Sequence, residues 1–173
     1  MGVFEQIAEI EKEVFSDAWS AEMIRDSFGY DYNHYIAVTR DGCIVTDQNI
    51  EEEIAGYLIF SDLDVFELQR IAVRPVYRRR GLADRMMERF TGCAPRYAAD
   101  QIVKSAEGGN AKDDAGYKPA SEGLREDGRI ILEVRSHNIP AISLYKKYGF
   151  AELTVRKNYY RDPDDDALIM ERI

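Results

Sequence analysis

The sequence IAVRPVYRRRGLA, residues 71–83, decides the fold class of this chain. Its first residues continue the apolar run Phe66–Val73 and predict a strand, and Arg78–Gly81 follows as a glycine turn. The residues after the turn predict a long helix, because an apolar stripe recurs at helical spacing at Leu82, Met86, Met87 and Phe90. A strand that enters a helix through such a turn directs several backbone N–H groups, and the positive end of the helix dipole, at one point. The stretch therefore predicts an anion site.

Two small residues make this predicted site accessible to a phosphate. Gly81 allows a ligand to approach the backbone closely, and Ala83 keeps the first helical turn clear. The stretch lacks the glycine spacing and the Lys-Ser/Thr pair of a P-loop. Taken alone, an arginine cluster before a glycine is also compatible with a solvated loop, and that alternative stays open at this point.

A second stretch, LEVRSHN at residues 132–138, adds chemistry to a strand. Alternation along the strand places Glu133 on the face opposite its aliphatic side chains. A carboxylate on a central strand either pairs with a cation or has a raised pKa at a functional site. Tyr145, in the LYKKYGF segment that follows, is by default a core or boundary aromatic. The residues alone leave a solvated or arginine-paired glutamate and a packed tyrosine as the simpler interpretations.

The remaining pattern completes a mixed α/β order of helix, helix, four strands, helix, strand, helix and two strands. Amphipathic spacing predicts a first helix at Val3–Phe15 and a second that is capped by Ser20 and ends near Phe28. The last helix is capped by Asn138 and ends before Gly149. The predicted strands are Tyr35–Thr39, Cys43–Val45, Ile54–Phe60, Phe66–Val73, Arg129–Arg135, Phe150–Arg156 and Ala167–Ile173, with a turn at Asp162–Asp166 between the last two.

Residues from about 107 to 128 differ from the rest of the chain. They contain five glycines among many charged residues and almost no aliphatic side chains. Such a segment buries too little apolar surface to order itself, so it predicts a mobile loop. The loop is either an insertion or a lid over a substrate, and we adopt the insertion as the interpretation.

Composition and charge exclude several classes of protein. The chain is 45% hydrophobic and 32% charged, and its longest apolar stretches, such as Ile54–Phe60, are too short to cross a bilayer. No secretory signal is visible at Met1–Ile10, so we expect a cytoplasmic protein with no membrane association. The net charge of −9 argues against a nucleic-acid binder. It is compatible either with simple solubility or with the attraction of a cationic substrate.

The residue types that commonly bind metals form no recognisable pattern. His34, His137, Cys43 and Cys93 lack metal-ligand spacing, so we expect no metal. The two cysteines cannot build a disulfide framework, and we expect both to stay reduced.

Taken together, the segments resemble the GNAT superfamily of N-acetyltransferases, and within it the RimI group, which acetylates the N-terminus of a ribosomal protein. The resemblance covers most of the chain and rests on several motifs in the right order. These are DAWS at 17–20, IAVRPVYRRRGLA at 71–83, LEVRSHN at 132–138, AISLYKKYGF at 141–150, RKNYY at 156–160 and ALIM at 167–170. It implies a single GNAT domain over residues 1–173, with a mixed, mostly antiparallel sheet flanked by helices.

The resemblance also implies roles for individual residues. It implies a general base at Glu133 and a general acid at Tyr145. The pyrophosphate loop of the family falls on Arg78, Arg79, Arg80, Gly81, Leu82, Ala83 and Asp84. The strand that pairs with the pantetheine arm falls on Ile71, Ala72 and Val73, and the asparagine that contacts the cofactor falls on Asn138. Trp19 is implied to shape the acceptor groove, while Tyr159 and Tyr160 either form part of its wall or simply pack.

The chain departs from the family pattern at two positions of the loop. Ala83 replaces the last glycine, which the superfamily tolerates. Asp84 places a carboxylate beside the expected pyrophosphate, which is unfavourable unless the side chain turns away. The backbone N–H of Asp84 can still bind a phosphate in that case.

The expected function is the transfer of an acetyl group from acetyl-CoA to a primary amine. The leading acceptor is the N-terminal α-amine of a protein, with a ribosomal-protein alanine as the candidate and a basic peptide as one option. The alternatives are a small amine or lysine acceptor, and a non-catalytic regulator that binds acyl-CoA or a protein partner. Nucleic-acid binding through Arg78–Arg80 is the weakest alternative, and the sequence leaves the oligomeric state open.

Overall fold

The computed structural model describes residues 1–45, 50, 52–63, 65–93 and 129–173 of the chain. The helices of this part are α1 (Val3–Val14), α2 (Ala21–Ser27), α3 (Leu82–Cys93) and α4 (Ile139–Lys147). The strands are β1 (Asn33–Thr39), β2 (Ile44–Val45), β3 (Ile54–Ser61), β4 (Phe66–Val73), β5 (Ile130–Arg135), β6 (Ala151–Tyr160) and β7 (Asp165–Arg172). A single 3₁₀ turn, Pro75–Tyr77, connects β4 to α3.

The seven strands of the described residues form one sheet in the order β2-β1-β3-β4-β5-β7-β6. Only β4 and β5 pair in parallel, and every other neighbouring pair is antiparallel. The predicted element order and the mixed, mostly antiparallel sheet are therefore confirmed. The predicted insertion, at about residues 107–128, lies outside the described residues.

The predicted boundaries of the last two strands are wrong. β6 continues past Arg156 to Tyr160, and β7 already begins at Asp165, so the turn between them is shorter than predicted. Asn158 has a positive φ of 52°, and the register of the two strands shifts around it. The Asp166 carboxylate accepts a hydrogen bond from the Asn158 backbone N–H at 2.8 Å. A side chain thus closes the hairpin where the apolar pattern has already ended, so the pattern could not reveal the extension.

Two apolar clusters cover the two faces of the sheet. On one face α3 and α4 pack over the central strands, where the rings of Phe60, Phe66 and Phe90 lie 5.2–5.4 Å apart. On the other face α1 and α2 pack on β1, β3 and β4 through fully buried residues such as Ile10 and Tyr57. Among the described residues, this second cluster contains none from β5, β6 or β7. That half of the face is therefore available for a site.

The predicted helix caps are confirmed. The Ser20 hydroxyl accepts from the Met23 N–H at 3.2 Å, and the Asn138 side-chain oxygen accepts from the Ala141 N–H at 3.3 Å. Gly149, with a φ of 84°, follows the end of α4. Each side-chain cap typically contributes about 1 kcal/mol. In the part of the chain that is described, no helix has the length and apolar character needed to span a membrane.

Candidate active site

The site begins where β4 and β5 part. Their parallel pairing ends after Leu68 and Leu132, and beyond that point each strand continues beside its other neighbour alone. A bulge at Gln69 turns β4 at the same place. Among the described residues, the two strands therefore enclose an open gap, and β4 presents one backbone edge to it. The predicted pantetheine-binding residues on this part of β4 are Ile71, Ala72 and Val73.

The predicted phosphate turn lies at the end of β4. Arg79 and Gly81 both have left-handed backbone angles, with φ values of 64° and 76°. A Cβ placed on Gly81 would meet no atom within 4 Å, so open space lies in front of the turn. Arg78 donates from Nε to the Val73 carbonyl at 3.1 Å and so ties the turn to the strand. Successive N–H groups in such a turn form a concave anion site, to which the α3 dipole adds. The geometry fits a pyrophosphate.

The other side chains of this loop face in different directions. Leu82 is 4% exposed and belongs to the core, so only its backbone could bind a ligand. Arg80 is exposed, and its guanidinium lies over the Tyr77 ring at 5.3 Å from the centroid. Ala83 is partly buried in the first turn of α3. The backbone of the loop is thus better placed than most of its side chains to bind a phosphate.

Asp84 directs its carboxylate towards α4. The carboxylate accepts a hydrogen bond from Lys147, and Tyr148 donates its hydroxyl to the Asp84 backbone carbonyl at 2.8 Å. Burial and the Asp84 charge raise the pKa of Tyr148 to about 12. The negative charge of Asp84 is therefore paired with a cation, which removes much of the repulsion that a pyrophosphate at this helix end would otherwise experience.

The start of α4 lies on the opposite side of the gap, directly after β5. Asn138 uses its side-chain oxygen for the helix cap, so its amide nitrogen is the group that could donate to a ligand. Tyr145 is 5% exposed and packs near the Phe150 ring. Burial, with a smaller contribution from Tyr160, raises the pKa of Tyr145, so its hydroxyl stays protonated at neutral pH. Tyr145 is therefore a core aromatic residue, and its hydroxyl carries a proton that it could donate.

A groove of about 800 Å³ crosses the sheet on the face that carries α1 and α2. One wall is the α1–α2 loop with Asp17 and Trp19, and the other is the β6–β7 hairpin. The two walls touch where the Ser16 hydroxyl donates to the Asp162 carbonyl at 3.1 Å. The groove is lined by Asp17, Trp19, Ser27, Glu67, Leu68, Gln69, Arg70, Glu133, Arg135, Tyr159, Tyr160 and Arg161. Four residues that were predicted separately, Glu133, Trp19, Tyr159 and Tyr160, thus share one cavity.

Two carboxylates form the floor of this groove. Glu133 is partly buried and accepts a hydrogen bond from the Arg156 guanidinium, so the arginine-paired interpretation applies. Glu67 lies on the neighbouring strand and on the same face, opposite Ile131 in the β4–β5 register. Burial raises the pKa of Glu67, the Glu133 charge raises it further, and the Arg156 charge partly opposes both effects. Glu67 therefore has a greater affinity for a proton than an ordinary glutamate.

The sequence reasoning missed Glu67. A signal was present, since Glu67 stands between the apolar residues Phe66 and Leu68 just as Glu133 stands between Leu132 and Val134. Each pattern alone indicates only a polar residue on one face of a strand. The parallel register that brings the two carboxylates together joins distant parts of the chain, and it cannot be read from either pattern.

Asp165 and Asp166 hold the β6–β7 hairpin in place. Asp165 accepts hydrogen bonds from the Ser136 hydroxyl at 2.7 Å and from His137 Nδ1 at 2.8 Å, which joins the hairpin to the β5–α4 turn. Asp166 fixes the backbone of Asn158, next to Tyr159. Among the residues that the structure describes, no three His, Cys, Asp or Glu side chains are grouped so that they could hold a metal ion.

Comparison with known proteins identifies a family and relatives that match over most of their length. The family described as Acetyltransferase (GNAT) domain matches residues 33–152. A Bacillus subtilis protein, provisionally named a ribosomal protein bS18-alanine N-acetyltransferase, is 29% identical over 96% of this chain and 86% of its own. The N-alpha-acetyltransferase RimI of Mycobacterium tuberculosis is 25% identical over 97% of this chain and 85% of its own. The crystal structure of the ribosomal-protein-S18-alanine N-acetyltransferase of Escherichia coli superposes with a TM-score of 0.64 at 22% identity, over 98% of this chain and 86% of that one.

Asp165→Asn should make the free energy of unfolding less dependent on pH. The Ser136 and His137 hydrogen bonds lower the pKa of Asp165, so the carboxylate stabilises the folded state above its unfolded pKa of about 3.9. That contribution is lost as the pH falls below this value. The difference in unfolding free energy between wild type and variant, measured in urea, should therefore shrink between about pH 6 and pH 3. Asp164→Asn, which changes a largely exposed carboxylate of the same hairpin, is the matched control. A difference that stays constant with pH for Asp165→Asn would contradict the assignment.

Proposed function

The chain belongs to the GNAT acetyltransferase family, and on that basis we propose that it transfers the acetyl group of acetyl-CoA to the N-terminal α-amine of a protein. The observation that carries the proposal is the position of the two carboxylates. Glu67 and Glu133 lie beside the point where β4 and β5 part, on the floor of an open groove. An amine in the groove and a thioester in the gap would meet at this point.

Three features support acetyl-CoA as the donor. The turn around Gly81 has left-handed backbone angles and open space in front of it, as a pyrophosphate requires. The proposed contacts to the pyrophosphate come from Arg78, Arg79, Arg80 and Gly81 and from the backbone of Leu82, Ala83 and Asp84. The backbone edge of β4 at residues 71–73 would pair with the amides of the pantetheine arm, as a further strand would. Asn138 would donate to the cofactor from across the gap.

The groove supports a peptide as the acceptor. Its volume of about 800 Å³ exceeds what a small amine needs, and the aromatic walls formed by Trp19, Tyr159 and Tyr160 suit an extended chain. Within the described lining, the carboxylates Asp17, Glu67 and Glu133 are matched in number by the arginines Arg70, Arg135 and Arg161. The lining therefore favours one ammonium group at the floor over a uniformly basic peptide. The name of the Bacillus subtilis relative makes an alanine of a ribosomal protein the candidate acceptor, and such a substrate would place the enzyme in the cytoplasm.

The proposed chemistry has two main proton transfers, one from the acceptor amine and one to the departing thiolate. An α-amine is mostly protonated at neutral pH and must lose a proton before it can attack. Glu133 would accept this proton directly or through water, and the neighbouring Glu67, with its raised pKa, would help to retain it. The nitrogen then bonds to the acetyl carbon, and a backbone N–H of β4 would stabilise the oxyanion. As the carbon–sulfur bond breaks, the thiolate would take the proton of the Tyr145 hydroxyl. The new amide nitrogen would lose its second proton to solvent, and solvent would return a proton to the Tyr145 oxygen.

A peptide panel tests the acceptor. Peptides that begin with alanine, serine or glycine should gain one acetyl group on the α-amine, as located by mass spectrometry. The matched control is the same alanine peptide with a blocked N-terminus and an internal lysine, and it should stay unmodified. Polyamines provide the comparison with small amines. Preferential modification of lysine or of a polyamine would replace the proposed acceptor, and the absence of thiol release with every acceptor would end the catalytic proposal.

Substitutions of the proposed proton carriers should affect turnover and spare cofactor binding. Glu133→Gln and Tyr145→Phe remove a proton acceptor and a proton donor with little change in shape. Each should lower kcat by at least tenfold, and by as much as the roughly 10²–10⁴-fold that acid–base catalysis typically supplies. Calorimetry should give the wild-type affinity for acetyl-CoA in both variants. Unchanged turnover in both would remove the catalytic assignment. Glu67→Gln, measured alongside, should lower kcat less than Glu133→Gln.

Gly81→Ala should weaken acetyl-CoA binding. The left-handed backbone angle costs a residue with a Cβ about 1–2 kcal/mol, and the new methyl group would occupy the space in front of the turn. We expect the Kd for acetyl-CoA, measured by calorimetry, to rise about tenfold or more. Gly92→Ala in α3 is the matched control, because a Cβ there also meets open space but the backbone is helical. It should leave the Kd unchanged. Equal effects of both substitutions would show that Gly81 has no special role.

A further inference from the structure

One buried acid in the structure has no part in the proposed chemistry. Glu11, in α1, is completely buried, and its carboxylate is surrounded by three donors. Tyr57 of β3 donates its hydroxyl to Oε1, while the Trp19 backbone N–H and Arg70 Nη1 each donate to Oε2 at 2.9 Å. A buried carboxylate is costly, and an ion pair rarely repays that cost better than apolar packing does. Stability alone therefore does not explain this arrangement.

Arg70 connects the buried acid to the wall of the groove. Its guanidinium lies 4.7 Å from the ring centroid of Phe15 and 4.6 Å from that of Trp19. Its second terminal nitrogen donates to the Asp17 carboxylate at 3.0 Å and to the Asp17 carbonyl at 3.3 Å. One side chain thus contacts three residues of the α1–α2 loop, and Glu11 holds it from below. The planar guanidinium suits this combination of stacking and paired hydrogen bonds.

The bulge in β4 explains why Arg70 reaches this place. Arg70 pairs with Ile59 and Leu68 pairs with Phe60, so Gln69 is the extra residue. The extra residue shifts the alternation of side chains, and Arg70 consequently lies on the same face as Glu67. The strand β4 therefore carries both the carboxylate of Glu67 and the arginine that holds the α1–α2 loop.

We propose that Glu11 and Arg70 are positioning residues for the acceptor. The pair holds Trp19 and Asp17 at a set distance from the floor carboxylates, and it thereby determines how tightly the acceptor peptide binds. Neither residue touches the reacting atoms. The kinetic part of this inference rests on the proposed function, whereas the structural part concerns the Trp19 wall alone.

Trp19 provides a direct readout, because it is the only tryptophan of the chain. Arg70→Met removes the cation and keeps most of the side-chain volume, and Arg70→Lys keeps the charge without the planar group. Loss of the stacking contact should shift the Trp19 emission to longer wavelength and raise its acrylamide quenching constant about twofold in Arg70→Met. Arg70→Lys should give a smaller change in the same direction, and it decides the question if Arg70→Met does not fold.

Kinetics give the second readout. Arg70→Met should raise the KM for the alanine peptide about tenfold, which corresponds to about 1.4 kcal/mol. The KM for acetyl-CoA and the kcat at saturating peptide should change by less than about threefold. Glu11→Gln should act in the same direction. Because the two residues work as one unit, the double variant should raise the peptide KM no more than the stronger single variant does.

Arg74→Met is the matched control. Arg74 directly follows β4 and, like Arg70, pairs with acids of α1, namely Glu13 at 2.6 Å and Glu9 at 3.4 Å. Its side chain is 13% exposed, and that of Arg70 is 12% exposed. In the described part of the chain, the side-chain hydrogen bonds and ion pairs of Arg74 are with Glu9 and Glu13 and not with Trp19, so its loss should lower stability without changing Trp19 fluorescence or the peptide KM.

The outcomes separate the two proposals. The inference is overturned if Arg70→Met has the same Trp19 fluorescence and quenching as the wild type. It is also overturned if Arg74→Met changes them as much as Arg70→Met does. A change in fluorescence with an unchanged peptide KM overturns the positioning role in catalysis. If wild-type protein acetylates no peptide, the proposed function fails, and the fluorescence arm still decides whether Arg70 holds the wall.

Discussion

The early end of the β4–β5 pairing is the constraint on which the rest of the site depends. Two neighbouring strands of a sheet normally satisfy each other's backbone groups along their whole length. Here the strands separate after Leu68 and Leu132, because a bulge at Gln69 turns β4 while β5 follows β7. The separation leaves a backbone edge facing open space, with the turn proposed to bind phosphate at one end and two carboxylates at the other. The proposed donor and acceptor sites both follow from this early end of the strand pairing.

The electrostatics of the site follow from the same geometry. The last paired residues bring Glu67 and Glu133 onto one face, where burial and the Glu133 charge both disfavour ionisation of Glu67. Arg156 offsets part of this repulsion by pairing with Glu133. In the proposed reaction, the two carboxylates could therefore accept a proton from an ammonium group without forming two unpaired charges. Across the gap, burial raises the pKa of Tyr145, as it does that of Glu67, so both groups hold a proton more firmly than they would in water.

The walls of the groove are held by polar contacts between distant elements. Glu11 and Arg70 connect α1, β4 and the α1–α2 loop, while Asp165 connects the β6–β7 hairpin to the start of α4. The Ser16 hydroxyl joins the two walls directly. Loops that carry binding residues are usually the more mobile parts of a fold. In this protein a carboxylate with several donors holds each wall, Glu11 against the sheet and Asp165 against the β5–α4 turn, so the aromatic side chains have defined positions relative to the floor.

The sequence by itself determined the order of the elements, the caps at Ser20 and Asn138, the glycine turn before α3 and the residue types available for chemistry. These are local properties, because periodicity, capping and positive φ angles depend on residues a few positions apart. Only the tertiary structure decided that Glu67 lies beside Glu133, that Asp84 pairs with α4, and that β6 extends to Tyr160. Each of these depends on a strand register, a bulge or a side-chain hydrogen bond between segments far apart in the chain, and none of these is encoded in the spacing of neighbouring residues.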